Sequence, residues 1–295
     1  MKSYEIAFIG NYTKDTIIDS RGRRVVDGGA FNYGANVAAR LGLRCCAVTR
    51  LAGADIQVVR RLEELGVDVF PEYTPDSTEL RLVYPTDNPD ERQIYVDSSA
   101  GTFRPEQVAN LDTQTAVVGA SFRGEVGLEV LQTLRDRKAG IALDVQGFVR
   151  SVRDGLLVAE SWPDKEEILP LVRFLKADIV EAEILTGTRD LEKAARILFA
   201  MGCKEILLTH RDGVLVYDGQ RVYEAGFYPD SLIGRSGRGD TCIAAYACRR
   251  IVSEPAEATI WAAAVTSLKM DVNGPFSGSP EDVERLIDQR YTRIS

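Results

Sequence analysis

Short apolar runs alternate with amphipathic stretches along the first quarter of the chain, and no other feature limits its fold so strongly. Glu5–Gly10 is a short apolar run ending in glycine. Arg23–Asp27 reads as a second strand. Gly28-Gly29 then opens a helix of small residues that runs to Leu41 and stops at Gly42. Cys45–Leu51 is strand-like, Asp55–Leu65 is an amphipathic helix closed by Gly66, and Val67–Phe70 is a strand again. Strands that alternate with helices in this way predict a mostly parallel sheet with helices on both faces.

The rhythm then breaks. Ser77–Tyr84 and Glu91–Asp97 are strand-like and flank the polar turn Pro85-Thr86-Asp87-Asn88-Pro89-Asp90, which predicts an inserted antiparallel hairpin. Together with Thr16–Asp27 it forms a small separate sheet in this reading, placed as a lid, with lid segments at about 12–27 and 72–98. The βα alternation resumes with strands at Ala116–Ala120, Ile141–Val145, Ala177–Val180 and Glu205–Thr209. Helices are expected at Gly124–Lys138, Lys165–Leu175 and Leu191–Met201. Asp212–Tyr217 and Arg221–Ala225 form a second hairpin, and helices follow at Asp240–Arg250 and from Pro255 to about Met270, with Asn273-Gly274-Pro275 as the stop. No repeat or low-complexity linker divides the 295 residues. The expectation is one α/β domain over 1–295 carrying a small lid.

The chain is acidic, with a net charge of −8, which argues against nucleic acid and anionic membranes as partners. An acidic protein still binds phosphate where local amides or cations gather. No apolar run approaches the roughly 20 residues that span a bilayer, and the first residues are too weakly apolar for a signal peptide. The five cysteines include no CxxC pair, which fits reduced, buried thiols in the cytoplasm. With a single histidine, His210, a His-based triad or metal site has little material.

The chemistry concentrates in Gly234-Arg235-Ser236-Gly237-Arg238-Gly239-Asp240-Thr241, just before a helix. Glycines let such a loop turn sharply and aim successive N–H groups at one point. The helix N-terminus adds unpaired donors and a partial positive charge, together making a phosphate site. Asp240 would repel a phosphate that was merely bound. It makes sense as a base that takes a proton from an attacking hydroxyl, and such help is worth roughly 10²- to 10⁴-fold in rate. Asp240 reads equally as an acid complementing the helix dipole. The segment is neither a P-loop nor a Rossmann fingerprint.

Gly237-Arg238-Gly239-Asp240 resembles the G-A-G-D anion-hole motif of the ribokinase-like, or PfkB, carbohydrate kinases. Asp27-Gly28-Gly29-Ala30 through Arg40-Leu41-Gly42 resembles their Gly-Gly signature. Gly10-Asn11-Tyr12-Thr13-Lys14-Asp15 is similar to their substrate stretch ending in Asp, and Thr78 with Glu91-Arg92 suits their lid. Asp178-Ile179-Val180-Glu181 followed by Leu185-Thr186-Gly187 resembles their N-x-x-E and L-T-G. The resemblance covers essentially the whole chain, and it implies a ribokinase-like α/β fold, ATP as donor and Mg²⁺ as cofactor. Asp240 would be the base, with the amides of Gly237, Arg238 and Gly239 as the anion hole. Asn11, Asp15, Gly28, Gly29, Asn32 and Gln146 would bind the acceptor. Thr209, His210, Gly213 and Asn273 would bind the nucleotide. Glu181 would organise Mg²⁺ through water, with Asp178 beside it.

The sequence departs from that pattern at His210, where the family has a glycine, and at Asp178, where it has Asn. Gly10-Asn11-Tyr12 with Asp15, and Asp144-Val145-Gln146 with Arg150, resemble the myo-inositol kinase branch, so a cyclic polyol is the leading acceptor. A nucleoside kinase of the same fold and a non-catalytic sugar-binding regulator are the alternatives. Exposed lid edges suggest a homodimer through the lid.

Overall fold

A computed structural model describes residues 2–86, 92–234 and 236–291. Glu91, the turn residues 87–90 and Arg235 lie outside the described residues. The strands are β1 (Tyr4–Ile9), β2 (Thr13–Asp19), β3 (Gly22–Gly28), β4 (Cys45–Ala52), β5 (Asp68–Thr74), β6 (Thr78–Val83), β7 (Gln93–Ser98), β8 (Thr113–Gly119), β9 (Gly140–Asp144), β10 (Arg150–Arg153), β11 (Leu156–Ala159), β12 (Val172–Asp178), β13 (Glu205–Thr209), β14 (Gly213–Tyr217) and β15 (Val222–Gly226). The helices are α1 (Ala30–Arg40), α2 (Gln57–Glu64), α3 (Leu128–Asp136), α4 (Lys165–Ile168), α5 (Ile179–Thr186), α6 (Leu191–Ala200), α7 (Arg238–Arg249), α8 (Pro255–Met270) and α9 (Pro280–Arg290).

Nine strands form the main sheet in the order β15-β14-β13-β12-β9-β8-β1-β4-β5. The pairs from β5 across to β13 are parallel, and β14 and β15 close the sheet as an antiparallel hairpin. Two apolar clusters cover its faces. One packs α1, α7 and α8 against it, and the other packs α3 and α6. All five cysteines are buried and unpaired with one another. The chain leaves β1 in one direction for β4 and in the other for β8, so the topological switch point lies between β1 and β8. Ligands of open α/β sheets bind at the carboxyl ends of strands at such a point.

The lid is a second sheet of six strands, β10-β11-β7-β6-β2-β3. The expected segments supply β2, β3, β6 and β7, while residues 72–74 belong to β5 of the main sheet. A third excursion, β10–β11, also joins the lid.

Two local expectations fail. The helix expected over Lys165–Leu175 ends at Ile168, because Pro170 has no N–H to continue it and the buried run from Val172 is β12. The strand expected over Ala177–Val180 ends at Asp178. That carboxylate accepts from the N–H groups of Val180 (2.9 Å) and Glu181 (2.8 Å), and Glu181 accepts from the Asp178 N–H (2.7 Å). This capping box starts α5 where the strand ends.

Candidate active site

Gly10 follows β1 and Gly119 ends β8, side by side at the switch point. A Cβ on Gly10 would stand 2.5 Å from the Gly119 carbonyl oxygen, and one on Gly119 would stand 2.2 Å from Ala30 Cβ. These missing side chains let the N-terminus of α1 settle on the strand ends. α7 enters beside it, again through close contact: Gly237 has φ +74°, and a Cβ there would lie 2.2 Å from the ring of Tyr33. The first-turn amides of α7 have no acceptor within the helix, and Asp240 sits in that turn. The Asp240 carboxylate lies beside Gly119, whose missing Cβ would be 3.9 Å from Oδ1.

The lid roofs this point and leaves a cleft of about 470 Å³. Of the residues expected from sequence, Asp15, Gly29, Gln146, Asp178, Thr209, His210, Gly237, Arg238, Gly239 and Asp240 line it. Asn11, Gly28, Asn32, Glu181, Gly213 and Asn273 do not. Asn11 is buried at the lid hinge, where its side-chain amide donates to the Gly101 carbonyl (2.9 Å) and to Glu125 (2.8 Å). Glu125 also accepts from Thr78 of β6 at 3.3 Å, so one buried carboxylate ties lid to body. Gly28 packs against Thr13 and Asp15. Asn32 donates to the Asp27 carbonyl at 3.3 Å. The carbonyl of Gly213 accepts from the His210 N–H at 2.9 Å, and Asn273 is exposed.

Asp15 is buried against the cleft, and its Oδ1 has no hydrogen-bond partner among the described residues. Burial pushes its carboxyl up to about 6, against the pull of Thr13 and Arg92. Burial also raises Asp240, with Lys176 opposing and Asp15 reinforcing the rise. Lys176 was not foreseen from the sequence. It is a lysine inside a buried strand, and that mismatch between charge and pattern is the signal that could have revealed it. Its ammonium lies 3.1 Å from Asp144 and 3.4 Å from Glu181. Burial works against its charge, yet Asp144, Glu181, Asp178 and Asp240 together hold it protonated. Gly239 makes room for it, since a Cβ there would stand 2.7 Å from Nζ. Arg150 approaches Glu181 at 3.6 Å from the lid side. With Arg92, Arg211 and Arg238 these residues give the cleft five cations, matching a polyanionic ligand.

No cluster of three or more His, Cys, Asp or Glu side chains among the described residues could by itself hold a metal. Glu181 keeps one buried oxygen, Oε1, without a hydrogen-bond partner, beside Arg150. That fits one water-mediated contact to a magnesium carried by phosphates. No helix of the described residues is long and apolar enough to cross a membrane.

The sequence pattern of the pfkB family carbohydrate kinases matches residues 3–280. A pyrophosphate-dependent kinase in the ribokinase family, solved with a pyrophosphate analogue and myo-inositol, superposes with a TM-score of 0.87 at 34% identity, covering 95% of this chain and 99% of that one. A second structure concerns conversion of a pyrophosphate-dependent myo-inositol-1 kinase into a myo-inositol-3 kinase by exchange of an asparagine and a serine for leucine. It also has a TM-score of 0.87 at 34% identity and covers 97% of this chain and all of that one. Cytidine kinase of Thermococcus kodakarensis is 27% identical over 249 residues, 80% of this chain and 84% of its own length.

Proposed function

For this chain, which belongs to the pfkB family of carbohydrate kinases, we propose transfer of a phosphoryl group from inorganic pyrophosphate to a hydroxyl of a cyclic polyol of the inositol type. The observation that carries the reading is the Asp240 carboxylate set at the α7 N-terminus, facing a cleft lined by five cations. The donor assignment replaces ATP in the expectation. It is supported by the two solved relatives described as pyrophosphate-dependent. It is supported too by the exposure of Asn273 and by Gly213 lying off the cleft, where a nucleoside would need a wall.

The acceptor hydroxyl lies between Asp15 and Asp240. Asp15 Oδ1 accepts from a neighbouring ring hydroxyl and orients the ring. Asp240 takes the proton of the attacking hydroxyl as its oxygen bonds to the near phosphorus of pyrophosphate. The bridging P–O bond breaks and orthophosphate leaves. The amides of Gly237, Arg238 and Gly239 face the oxygens of the transferred group, and such preorganised donors supply much of the rate. Arg150, Lys176 and Arg211 hold the leaving phosphate. Magnesium, bound with the donor, would neutralise phosphate charge, with Asp178 on the cleft wall and Glu181 behind it as the carboxylates that would hold its waters. The lid excludes water, which protects the donor from hydrolysis.

Leu80, Leu82 and Ile94 give the lid an apolar wall on the cleft. In the solved relative, exchange to leucine moves the phosphorylated position from 1 to 3, and we infer the 3-position here. The test is a matrix of donors (pyrophosphate, ATP) against acceptors (myo-inositol, other cyclitols, ribose, cytidine), with the product resolved by chiral chromatography. Phosphate release with pyrophosphate and myo-inositol is expected. Turnover with ATP alone would overturn the donor, and turnover confined to cytidine would make this a nucleoside kinase.

A further inference from the structure

Lys269, in the last turn of α8, is a fully buried cation, 0% exposed. An ammonium is rarely buried without a carboxylate beside it, and among the described residues no ion pair holds this one. Its hydrogen bond goes to a backbone oxygen, the Gly234 carbonyl, at 2.8 Å. Its Nζ also stands 5.6 Å from the centre of the Tyr33 ring, within reach of a cation–π attraction. The first contact is with the anion-hole loop itself, and the second is with a ring of α1 that lies against it. Gly234 is the root of that loop and is pinned to the same helix end, since the N–H groups of Ile233 and Gly234 both donate to the Met270 carbonyl at 3.0 Å. The ring of Tyr33 is the platform on which Gly237 rests.

Nothing in the proposed mechanism uses Lys269. It does not line the cleft and touches no substrate position. We infer that Lys269 is a positioning residue for phosphoryl transfer: a built-in cation behind the anion-hole loop that fixes Gly234 and Tyr33 and adds positive potential under Gly237–Gly239. The inference rests on the reading of that loop as the anion hole. An oriented carbonyl and an aromatic face are both electron-rich, so a positive charge in reach of both draws each towards it. The Asp240 carboxylate, in the same helix turn as the loop, is the charge felt most by Lys269, and it favours the protonated amine. The cost is visible in burial, which pulls the ammonium down to about 8.

The experiment compares Lys269→Met and Lys269→Ala with wild type in kcat, acceptor KM and melting temperature. Methionine fills the same volume without charge, and replacing a buried ion by an apolar group of similar size is often neutral or stabilising. The expected result for K269M is a melting temperature at or above wild type, an acceptor KM within about twofold, and a kcat at least tenfold lower. Propylammonium chloride added to K269A should restore part of the lost kcat, while propan-1-ol, the same size without charge, should not. An unchanged kcat in K269M overturns the inference, and so does equal rescue by amine and alcohol, because either leaves Lys269 a packing residue. A fall in melting temperature that accounts for the lost activity of K269M overturns it as well. Failure of the underlying reading has a different mark: Asp240→Asn would then keep wild-type turnover whatever the Lys269 variants do.

Discussion

The floor of the cleft and its cationic rim are built on different physical principles. The floor is a matter of shape. Gly10, Gly119 and Gly237 stand where a single methyl group would strike backbone, the Ala30 Cβ or a buried ring at 2.2–2.5 Å, which fixes how closely α1 and α7 meet the sheet. The rim is a matter of charge. Lys176, Arg150, Asp144 and Glu181 hold one another at 3.1–3.6 Å, and Arg211 beyond them is exposed. Packed shape admits little adjustment, whereas charges held by one another can shift with a ligand, and the exposed one among them responds to salt. The two sides should therefore fail differently when altered.

The largest effect belongs to the floor. Asp240→Asn is expected to lower kcat by about 10²- to 10⁴-fold with donor KM little changed, read by phosphate release at saturating substrates. A loss confined to KM would break the assignment of base to floor. Asp15→Asn comes next, with two readouts. Acceptor KM should rise, by about 10-fold or more, as the unpartnered oxygen no longer meets a hydroxyl as an anion. Stability should move the other way. The folded carboxyl is raised to about 6, so the stability tied to its protonated form is present below its unfolded value and is lost as pH rises through 6. The variant escapes that loss and should exceed wild type at pH 8 by up to about 3 kcal/mol, at about 1.4 kcal/mol per unit. Melting curves at pH 4, 6 and 8 measure the gap, and a gap that narrows with rising pH refutes the sign.

Rim variants should act on donor binding. Arg150→Met is expected to raise pyrophosphate KM by about tenfold, the order of one hydrogen bond to a charged group. Arg211→Met should give the smallest change, about twofold, and it should vanish at high ionic strength because exposed charges are screened. If Arg211→Met proved insensitive to salt while the floor variants responded to it, the contrast between floor and rim would be reversed.

Most of the architecture was legible in the chain because strand and helix periodicities alternate from Glu5 to Phe70 and again over much of the chain beyond Ala116, the stretch around Lys165–Val180 excepted. The Gly-rich turn before α7 was legible because glycine, acid and helix start fall together. The β10–β11 hairpin was not, since each strand has four residues with no clean alternation. A signal existed in Asp154-Gly155, which form a two-residue turn with φ values of 49° and 79°. Lys176 and Lys269 escaped notice because pattern reading sorts residues into apolar and polar positions. A lysine in a buried strand or at the end of an alanine-rich helix appears there as noise, although in the fold it is the charge that matters. Asn11 shows the converse: a polar residue expected on the acceptor serves the lid hinge through Glu125.

Arg150 opens β10 and so belongs to the roof, yet its guanidinium meets Glu181 on α5 below. A tilt of the roof relative to the body therefore moves a positive charge along with the apolar wall. Were the roof to lift, that charge would leave with it, so access to the cleft and its attraction for anions are coupled through one side chain.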